Sequence, residues 1–566
     1  MPKTLISRNS FLGLTLGFFS FLITIAFLPS YTLDPITPPK LILICFLAFL
    51  FSISLLGRGF KRVNSRIEAG ESLMLSFSFF LTLALILNRE NFSERLLGVF
   101  GRSTGYVSYF SLSLIVLAII RYRKKFDLRL IFVFILLSII VVKGYFLIQV
   151  NGRDPFTYTE IYDVPSSTLG NPNFISGFLG FACIAYLLPF LSARRLITRL
   201  PALAFGLSGI CLSLYVINKT NSIQGYFAFA AAILTSLTMY LIGKYLTATS
   251  RLLKRVIQTT LVSLGFLLLL FSYIAIPRLL LDQSIQVRFD YWVAGLKMIA
   301  DNPLSGVGLD AFGDYYRQYR TQVAFDRLDE GFQVSDSAHN AVIDIGASGG
   351  LFLMTSYIGL QLYVLYLLFH RLKQVPTPDA SLILSVGIWM GYHIQSFVTV
   401  TQIGVAIWGW IFTGLLIAQC QGVLNFDSMP IKPSKFRLPW SLKRDLVVSL
   451  GLLIVSLTLL IASWIHLRQE AAFYTAARQT DGLKLKAITL TWPHSTHRTI
   501  LTTEAFSNGG YENFALEIAS YGVAVNPRSY LLWKHIYSNP ESSKEQRAEA
   551  YKALLIIEPR IDPARE

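Results

Sequence analysis

Charged residues and cysteines are both scarce in this chain of 566 residues. Asp, Glu, Lys and Arg together make up 15% of the chain, whereas 53% of its residues are hydrophobic. A soluble domain does not need that much apolar surface, and the apolar residues lie in long blocks instead of at amphipathic spacing. The few cysteines lie in or beside these blocks and form no CxxC pair, which predicts packing and not a metal or redox site: Cys45, Cys183, Cys211 and Cys420.

The common motifs of nucleotide-binding and hydrolytic enzymes are missing as well. The sequence contains no Walker loop, no GxGxxG fingerprint, no HExxH motif and no nucleophile elbow. The polar segments between the long apolar blocks that we assign below to the outer face of a membrane show no Asp/Glu motif spaced for a divalent ion. We therefore expect a site with no metal and no cofactor, in which arginines offset negative charge.

Long apolar blocks dominate the sequence. Because backbone groups in lipid must be paired within their own segment, each block predicts a helix, and a crossing takes roughly 20 residues. The predicted fold is an all-α, polytopic helical membrane protein. We count about thirteen transmembrane helices on this criterion, near 10–29, 39–57, 72–88, 107–121, 129–149, 174–193, 201–217, 225–246, 257–277, 349–369, 381–398, 401–420 and 446–465.

The net charge of +17 is distributed as a topology signal. Cytoplasmic loops carry an excess of Lys and Arg, so the side that holds the basic loops and the N-terminus is predicted to be cytoplasmic. Nothing in this pattern suggests nucleic acid as a partner. The basic residues of that side are Lys3, Arg8, Arg58, Lys61, Arg62, Arg66, Arg121, Arg123, Lys124, Lys125, Arg129, Arg194, Arg195, Arg199, Lys244, Arg251, Lys254, Arg255, Arg371, Lys373, Lys432, Lys435, Arg437, Lys443 and Arg444.

An odd number of spans places the C-terminus and the less regular loops on the outer face. The predicted domains are N-terminal transmembrane helices at 1–277, a large extracytoplasmic loop at 278–348, C-terminal transmembrane helices at 349–465, and an extracytoplasmic tail at 466–566. Loops this long in compact proteins are usually functional or disordered. The outer face is therefore where we look for chemistry.

The tail is polar and has helical periodicity. Asn526-Pro527, Trp533 and Glu558-Pro559 fall where tetratricopeptide repeats place a proline between units and an aromatic residue early in the next unit. The full consensus is not met, so a generic helical hairpin stays open beside a TPR-like domain. A helical tail of either kind could bind other envelope-assembly proteins.

The large loop begins with a predicted amphipathic helix. Its apolar positions 289, 292, 293, 296 and 299 recur at helical spacing, which predicts that the helix lies against the membrane surface. Arg288 opens the helix beside Tyr291 and Trp292, and an arginine can hold a phosphate through two parallel hydrogen bonds. The alternative is a snorkelling arginine that only anchors the helix.

The large loop ends at a histidine next to a predicted span. His339, between Asp336 and Asn340, could serve as a general base or as a hydrogen-bond donor to a reacting oxygen. The alternative is a histidine that simply favours the headgroup region. Three further arginines of the loop are expected to form a solvated face: Arg317, Arg320 and Arg327.

Turn-forming segments in the earlier outer loops are further candidate anion or ligand sites. Gly101-Arg102 supplies a cation, with Arg95 and Gly105 nearby. Gly170-Asn171-Pro172-Asn173 and Asn221-Ser222-Ile223-Gln224-Gly225 contain the Gly and Asn residues that permit tight turns near a ligand. Each segment taken alone could be an ordinary turn.

The order of these motifs resembles a known family. Arg288-x-x-Tyr291-Trp292, Asn302-Pro303-Leu304-x-Gly306-x-Gly308, Ala338-His339-Asn340, Gly346 and Gly349-Gly350 follow one another, after Gly101-Arg102 and Gly170–Asn173 upstream. The series resembles the O-antigen ligase family, which includes O-antigen polymerases and bacterial protein O-oligosaccharyltransferases. The resemblance covers roughly residues 90–420 and is most specific at 288–350.

The resemblance implies a glycan transferase of the bacterial cytoplasmic (inner) membrane that acts on the outer face. Its donor would be an undecaprenyl-diphosphate-linked glycan, its acceptor a glycan or lipid hydroxyl, and its surroundings membrane lipids. By resemblance, His339 and Arg288 are the catalytic residues. The candidate substrate-binding residues are Gly101, Arg102, Asn171, Asn173, Gln224, Tyr291, Trp292 and Asn340.

One departure from the family and two rival functions stay open. The family often has a Ser-Arg-Gly-like motif where this chain reads Ser222-Ile223-Gln224-Gly225, so Arg102 is a candidate replacement for the missing arginine. A transporter or flippase would predict mid-membrane charges and an internal repeat, but only Lys143 lies inside a span and no repeat is evident. A membrane anchor that presents the tail would leave the histidine and arginine of the large loop unexplained.

Overall fold

The computed structural model describes residues 8–59, 68–122, 126–156, 164–327, 334–423 and 442–563, and the regular structure in these ranges is helical. This confirms the predicted all-α class. The α-helices are α1 (Arg8–Ile25), α2 (Thr37–Gly59), α3 (Ala69–Leu87), α4 (Phe92–Leu97), α5 (Tyr106–Tyr122), α6 (Leu128–Val150), α7 (Pro172–Ala182), α8 (Leu188–Ser192), α9 (Leu196–Lys219), α10 (Gln224–Thr247), α11 (Arg251–Leu280), α12 (Gln283–Asp301), α13 (Phe312–Tyr319), α14 (Gln322–Arg327), α15 (Ala341–Gln374), α16 (Ala380–Ser396), α17 (Ile403–Gln421), α18 (Leu442–Arg478), α19 (Gly482–Thr489), α20 (Thr496–Asn508), α21 (Glu512–Val525), α22 (Tyr530–Ser538) and α23 (Lys544–Ile557).

Helices occupy every predicted span. Within the described ranges, 9 segments are long and apolar enough to cross a membrane, and Phe11–Ile25 and Tyr106–Tyr122 are shorter apolar helices. The chain is therefore a polytopic helical membrane protein, while the total of about thirteen crossings stays a prediction. Several basic residues used for the topology lie outside the described residues: Lys3, Lys61, Arg62, Arg66, Arg123, Lys124, Lys125, Lys432, Lys435 and Arg437.

The membrane core is packed around α17, of whose apolar segment 94% is buried inside the protein. Three of the cysteines are buried in helices, as predicted, but Cys211 is exposed on α9, so the packing assignment is wrong for it.

Small residues allow close helix contacts. A Cβ on Gly180 of α7 would lie 2.2 Å from the carbonyl oxygen of Gly225 on α10, so these two helices touch through their backbones.

The long helix α15 is broken at Gly350, where the backbone is non-helical (φ 82°, ψ −179°). A Cβ at this position would lie 2.7 Å from the carbonyl oxygen of Pro303, and only glycine adopts this conformation without strain. The amide of Leu351 donates to that same Pro303 oxygen at 2.8 Å. The break is therefore filled by the turn that follows α12.

The other side of the break is bonded by the same turn. The amide of Val307 donates to the carbonyl of Ala347 at 2.8 Å, and the amide of Gly308 donates to that of Ser348 at 3.2 Å. These bonds replace the intrahelical bonds lost at the kink. The Asn302-Pro303…Gly308 segment thus fixes the N-terminal end of α15, residues 341–349, which follows the His339 loop.

The tail is helical, as predicted, and its helices pack as neighbouring pairs, α20 with α21 and α22 with α23. The TPR identity stays a prediction, as do the domain boundaries. α18 continues as one helix to Arg478, beyond the predicted end of the last span at residue 465. α15 begins at Ala341, before the predicted start of its span at residue 349.

The tail docks on α13 of the large loop. Arg320 forms an ion pair with Glu558, and both side chains are fully buried. The guanidinium of Arg317 lies 4.1 Å from the ring centroid of Tyr530 and 3.9 Å from the Glu558 carboxylate. This contact places the large loop and the tail on the same side of the membrane, and their extracytoplasmic location stays a prediction.

The prediction of a solvated arginine face in the large loop is wrong. Arg320 is 0% exposed, Arg317 is covered by the tail, and Arg327 forms an ion pair with Asp290 on α12. The partner of Arg320, Glu558, lies 238 residues further along the chain. The partner of Arg327, Asp290, lies on a different helix, α12. Sequence spacing alone therefore could not identify them.

We expect Glu558→Ala to undock the tail, because it leaves the buried Arg320 without its counter-charge. Removing one partner of a buried ion pair typically costs about 3–5 kcal/mol. Limited proteolysis of the tail in the full-length protein, with thermal unfolding alongside, would measure the loss. The control is Glu549→Ala, at an exposed position on α23, the helix that ends just before Glu558. Equal protease resistance in both variants would show that the pair does not hold the tail.

Candidate functional site

A tight turn places His339 just before the N-terminus of α15. The residue has a left-handed backbone (φ 49°), and its amide donates to the Oγ of Ser337 at 3.1 Å. Asp344, on the first turns of α15, accepts from the Ala338 amide at 2.9 Å and from the Ser337 hydroxyl at 2.8 Å. A non-glycine residue in this conformation is held by its surroundings, and here the Asp344 carboxylate holds it.

Arg102 joins this turn to the preceding outer loop. Its guanidinium lies 3.1 Å from Asp344, 3.3 Å from Asp310 and 3.8 Å from Asp336, and the residue is 7% exposed. Burial alone would lower the pKa of Arg102, but the three carboxylates outweigh it and raise that pKa. Arg102 is therefore permanently charged, and its positive charge is already paired with three carboxylates.

The segment 98–105 wraps around Asp310. The Asp310 carboxylate accepts hydrogen bonds from the amides of Val99 at 2.9 Å and Thr104 at 3.3 Å, and from the Thr104 hydroxyl at 3.0 Å. Gly101, at the exposed tip of this turn, has φ 78° and open space where a side chain would lie. The segment thus presents Arg102 to the His339 turn, with Gly101 exposed beside it.

Arg288 lies on α12, near enough to His339 for its charge to lower the pKa of that histidine. Its Nε donates to the carbonyl of Val398 at 2.9 Å, and its Nη1 donates to that of Ser284 at 2.7 Å. Among the arginines that the described part of the large loop contributes, Arg317, Arg320 and Arg327 have a carboxylate within 4.0 Å, but Arg288 has none. Unlike Arg317, Arg320 and Arg327, Arg288 therefore has no ion pair with a carboxylate of the described residues.

Aromatic rings connect α12 to His339 and to α13, the helix on which the tail docks. The ring of Tyr291 lies 5.4 Å from that of His339 and 5.3 Å from that of the buried Tyr316 on α13. Trp292 contacts Phe289 at 5.0 Å, and its buried Nε1 has no hydrogen-bond partner among the described residues. Tyr291 thus borders the histidine directly, and Trp292 retains an unused donor.

Burial, and then the nearby charges of Arg288 and Arg102, lower the pKa of His339 to about 3. The imidazole is therefore neutral at physiological pH. A neutral imidazole can accept a proton from a hydroxyl. A bound anion that offsets the arginine charges would raise this pKa and make the imidazole a stronger base.

The remaining predicted residues have local structural roles. The side chain of Asn340 caps α15 by accepting from the amides of Val342 and Ile343 at 3.0 and 3.2 Å. Asn171 caps α7 by accepting from the amide of Asn173 at 2.8 Å. Such caps stabilise helices and explain the Asn residues without any ligand.

Gln224 lies at the start of α10, where that helix packs against α7. Ser176 of α7 accepts from the Gly225 amide at 3.0 Å and donates to the Ser222 carbonyl at 2.9 Å. Gln224 is 5% exposed, and its Oε1 has no hydrogen-bond partner among the described residues. Asn171, Asn173 and Gln224 thus lie at the starts of two packed helices, apart from the hydrogen bonds that join Arg102 to the His339 turn.

Sequence reasoning missed Asp344 and Asp310. The signal for Asp344 was present, because a carboxylate in the apolar run that follows His339 is costly unless it is paired. The span was predicted to begin at residue 349, which assigned Asp344 to the loop. Asp310 gave no sequence signal, because its partners belong to the 98–105 segment.

Comparison with protein families agrees with the motif order. Residues 208–358 match the sequence model of a family described as O-Antigen ligase. No curated protein matches the chain. The matched segment contains Arg288, Tyr291, Trp292, His339 and the 302–308 turn with its partner Gly350, whereas Gly101, Arg102, Asn171 and Asn173 lie before it.

We expect Asp344→Ala to release the His339 turn, because the substitution removes the acceptor of the Ala338 amide and of Arg102. Losing buried hydrogen bonds of this kind should accelerate amide exchange at residues 337–339 about tenfold or more. Hydrogen–deuterium exchange of the full-length protein would measure this, with Asp326→Ala on the exposed face of α14 as the control. Unchanged exchange in Asp344→Ala would show that the turn is held by other contacts.

Proposed function

Because residues 208–358 match the O-antigen ligase family, we propose that this chain transfers a glycan from a lipid diphosphate to an acceptor hydroxyl. The donor is an undecaprenyl-diphosphate-linked glycan, the acceptor is a glycan or lipid hydroxyl, and the site lies on the outer face of the bacterial cytoplasmic membrane. The family supports a glycosyltransferase-like membrane enzyme, and the donor, the acceptor and the active face are our proposal.

One observation carries this proposal. Within the family-matched segment, a neutral histidine borders the start of a broken membrane helix, and an arginine with no carboxylate partner among the described residues lies near enough to lower the pKa of that histidine. The arginine suits a diphosphate, because its planar donors match two phosphate oxygens. The histidine suits a hydroxyl acceptor. The two residues therefore divide the donor and the acceptor between them.

The reaction is a displacement at the anomeric carbon of the donor. The acceptor oxygen forms a bond to that carbon as the bond to the diphosphate oxygen breaks, and the electron pair leaves with the lipid diphosphate. His339 takes the acceptor proton, and Arg288 stabilises the charge that grows on the leaving diphosphate. The step needs no nucleotide, and we propose that it needs no metal.

Arg102 has a positioning role in this scheme. Its guanidinium already contacts Asp310, Asp336 and Asp344, so the negative charge around it disfavours a close second anion. Its electrostatic effect on His339 nevertheless persists, because both residues border the same turn. We propose that Arg102 holds the turn and that Arg288 supplies the direct contact with the diphosphate.

Gly101, Asn171, Asn173, Gln224, Tyr291, Trp292 and Asn340 stay proposed substrate-binding residues. Trp292 and Gln224 are the strongest of these, because the buried Nε1 and Oε1 atoms have no hydrogen-bond partner among the described residues, and such atoms are rare and costly. A bound glycan hydroxyl would satisfy either atom. Asn171 and Asn340 already use their side chains as caps, so their contribution would be to shape the backbone.

We expect His339→Ala to reduce transfer by about 10²–10⁴-fold with donor binding nearly unchanged, because the histidine acts on the acceptor proton. Arg288→Lys should impair both donor binding and transfer, since an ammonium lacks the two-point contact. Purified protein with a lipid-diphosphate glycan and an acceptor would test both.

The controls for this assay are His370→Ala, near the other end of α15, and Arg327→Lys, whose side chain pairs with Asp290. Wild-type activity should survive EDTA. Full transfer activity in His339→Ala would show that His339 is not the general base. Loss of wild-type activity in EDTA would reveal a metal requirement.

The pH dependence follows from the lowered pKa of His339. In the free protein this pKa is about 3 instead of the ordinary 6.5, so protonation of His339 should cause no loss of kcat/KM between about pH 5 and pH 7. The bound diphosphate offsets the arginine charges and raises the pKa, so kcat should fall at a higher pH than kcat/KM does as the solution is acidified. An acid limb of kcat/KM near 6.5 that disappears in His339→Ala would contradict this electrostatic account.

A further inference from the structure

A cleft opens between the tail and the loop that follows α3. It has a volume of about 320 Å³, and its walls come from residues 89–93 on one side and from 492–494 and 524–527 on the other. This volume lies within the range of small-molecule sites, roughly 300–1,000 Å³. The cleft is separate from the hydrogen bonds and ring contacts of the His339 turn.

Docking of the tail creates this cleft. The amide of Asn91 donates to the carbonyl of Val525 at 3.1 Å, and the amide of His494 donates to the Oγ of Ser93 at 3.0 Å. These contacts join segments about 400 residues apart in the sequence. A site here therefore exists only in the full chain.

Two aromatic side chains line the cleft and remain accessible. Trp492 is 39% exposed and Phe92 is 46% exposed, and neither ring stacks on another aromatic ring within the described ranges. Such rings offer flat apolar faces, and the indole also carries an N–H donor. Sugar rings have matching apolar C–H faces, so stacking on these side chains would cover apolar surface on both partners.

The polar groups of the cleft are nearly balanced in charge. Arg89 and Glu90 are adjacent and both exposed, and His494 is half-buried with the Tyr521 hydroxyl within hydrogen-bond distance of its ring. The buried Oδ1 of Asn91 has no hydrogen-bond partner among the described residues. A balanced lining favours a neutral ligand with many hydroxyl groups over an anion, and the unpaired amide oxygen can accept from a hydroxyl.

We propose that this cleft is a second glycan-binding subsite, which holds sugar residues of the lipid-linked chain that lie away from the reacting anomeric carbon. The inference rests on the proposed function for the identity of its ligand. The 88–105 segment that forms one wall also carries Arg102, which bonds to the His339 turn. A glycan held in the cleft therefore lies on the same face as the reaction centre.

The test is direct binding of lipid-free glycan, which does not depend on transfer. The probe is the oligosaccharide released by mild acid from the host's own lipid-linked envelope glycan, titrated into full-length protein by calorimetry. Trp492→Ala should weaken binding about tenfold, the size expected for loss of one aromatic stack. Phe92→Ala should weaken it as well. Tyr511→Ala, which removes an aromatic residue that is 61% exposed elsewhere on the tail, should bind as the wild type does.

The outcomes separate this inference from the proposed function. Equal affinity in the wild type and Trp492→Ala, or no binding by the wild type, would overturn the subsite even if transfer is observed. Selective loss in Trp492→Ala and Phe92→Ala would support the subsite even if the transfer assay shows that the His339 centre does not act as proposed. The melting temperature of each variant confirms that the tail is still folded.

Discussion

The carboxylate of Asp344 is the point on which the outer half of this protein depends. It lies at the start of a membrane helix, where an unpaired charge is costly, and three partners satisfy it: the Ala338 amide, the Ser337 hydroxyl and Arg102. The need to pair this charge brings the 98–105 segment against the large loop and leaves His339 in its left-handed conformation. The geometry of the proposed reaction centre is thus a consequence of burying this charge at the start of a membrane helix.

Much of the fold could be predicted from the sequence, because spans depend on local hydrophobicity. Every predicted span has a helix, and the helix that contains Arg288 was predicted from its apolar spacing. The break at Gly350 could not be derived in this way. The turn at residues 302–308 forms backbone hydrogen bonds with α15 on both sides of the break at Gly350. This relation between the turn and the glycine pair can be recognised only when both are placed in three dimensions.

The arginines show the same limit at the level of the site. Sequence reasoning predicts that both Arg288 and Arg102 contact the substrate and that Arg320 is solvated, because charge, residue type and motif order are all it can use. In the structure, Arg320 lies fully buried against Glu558, Arg102 lies among three aspartates, and Arg288 has no carboxylate partner in the described residues. Pairing in three dimensions therefore separates the structural arginines from the one we assign to the diphosphate. The mid-membrane Lys143, which would have favoured a transporter, lies 3.4 Å from Ser213 and 3.5 Å from the Tyr186 hydroxyl, inside a helix contact.

The most direct measurement of the central claim is an electron cryomicroscopy structure of the full-length protein bound to a non-hydrolysable lipid diphosphate. The account predicts density for the diphosphate within about 3 Å of the Arg288 guanidinium, with His339 facing the position of the acceptor and Arg102 still bonded to Asp344. A diphosphate bound to Arg102 in place of its aspartates, or bound on the opposite side of the membrane, would contradict the account.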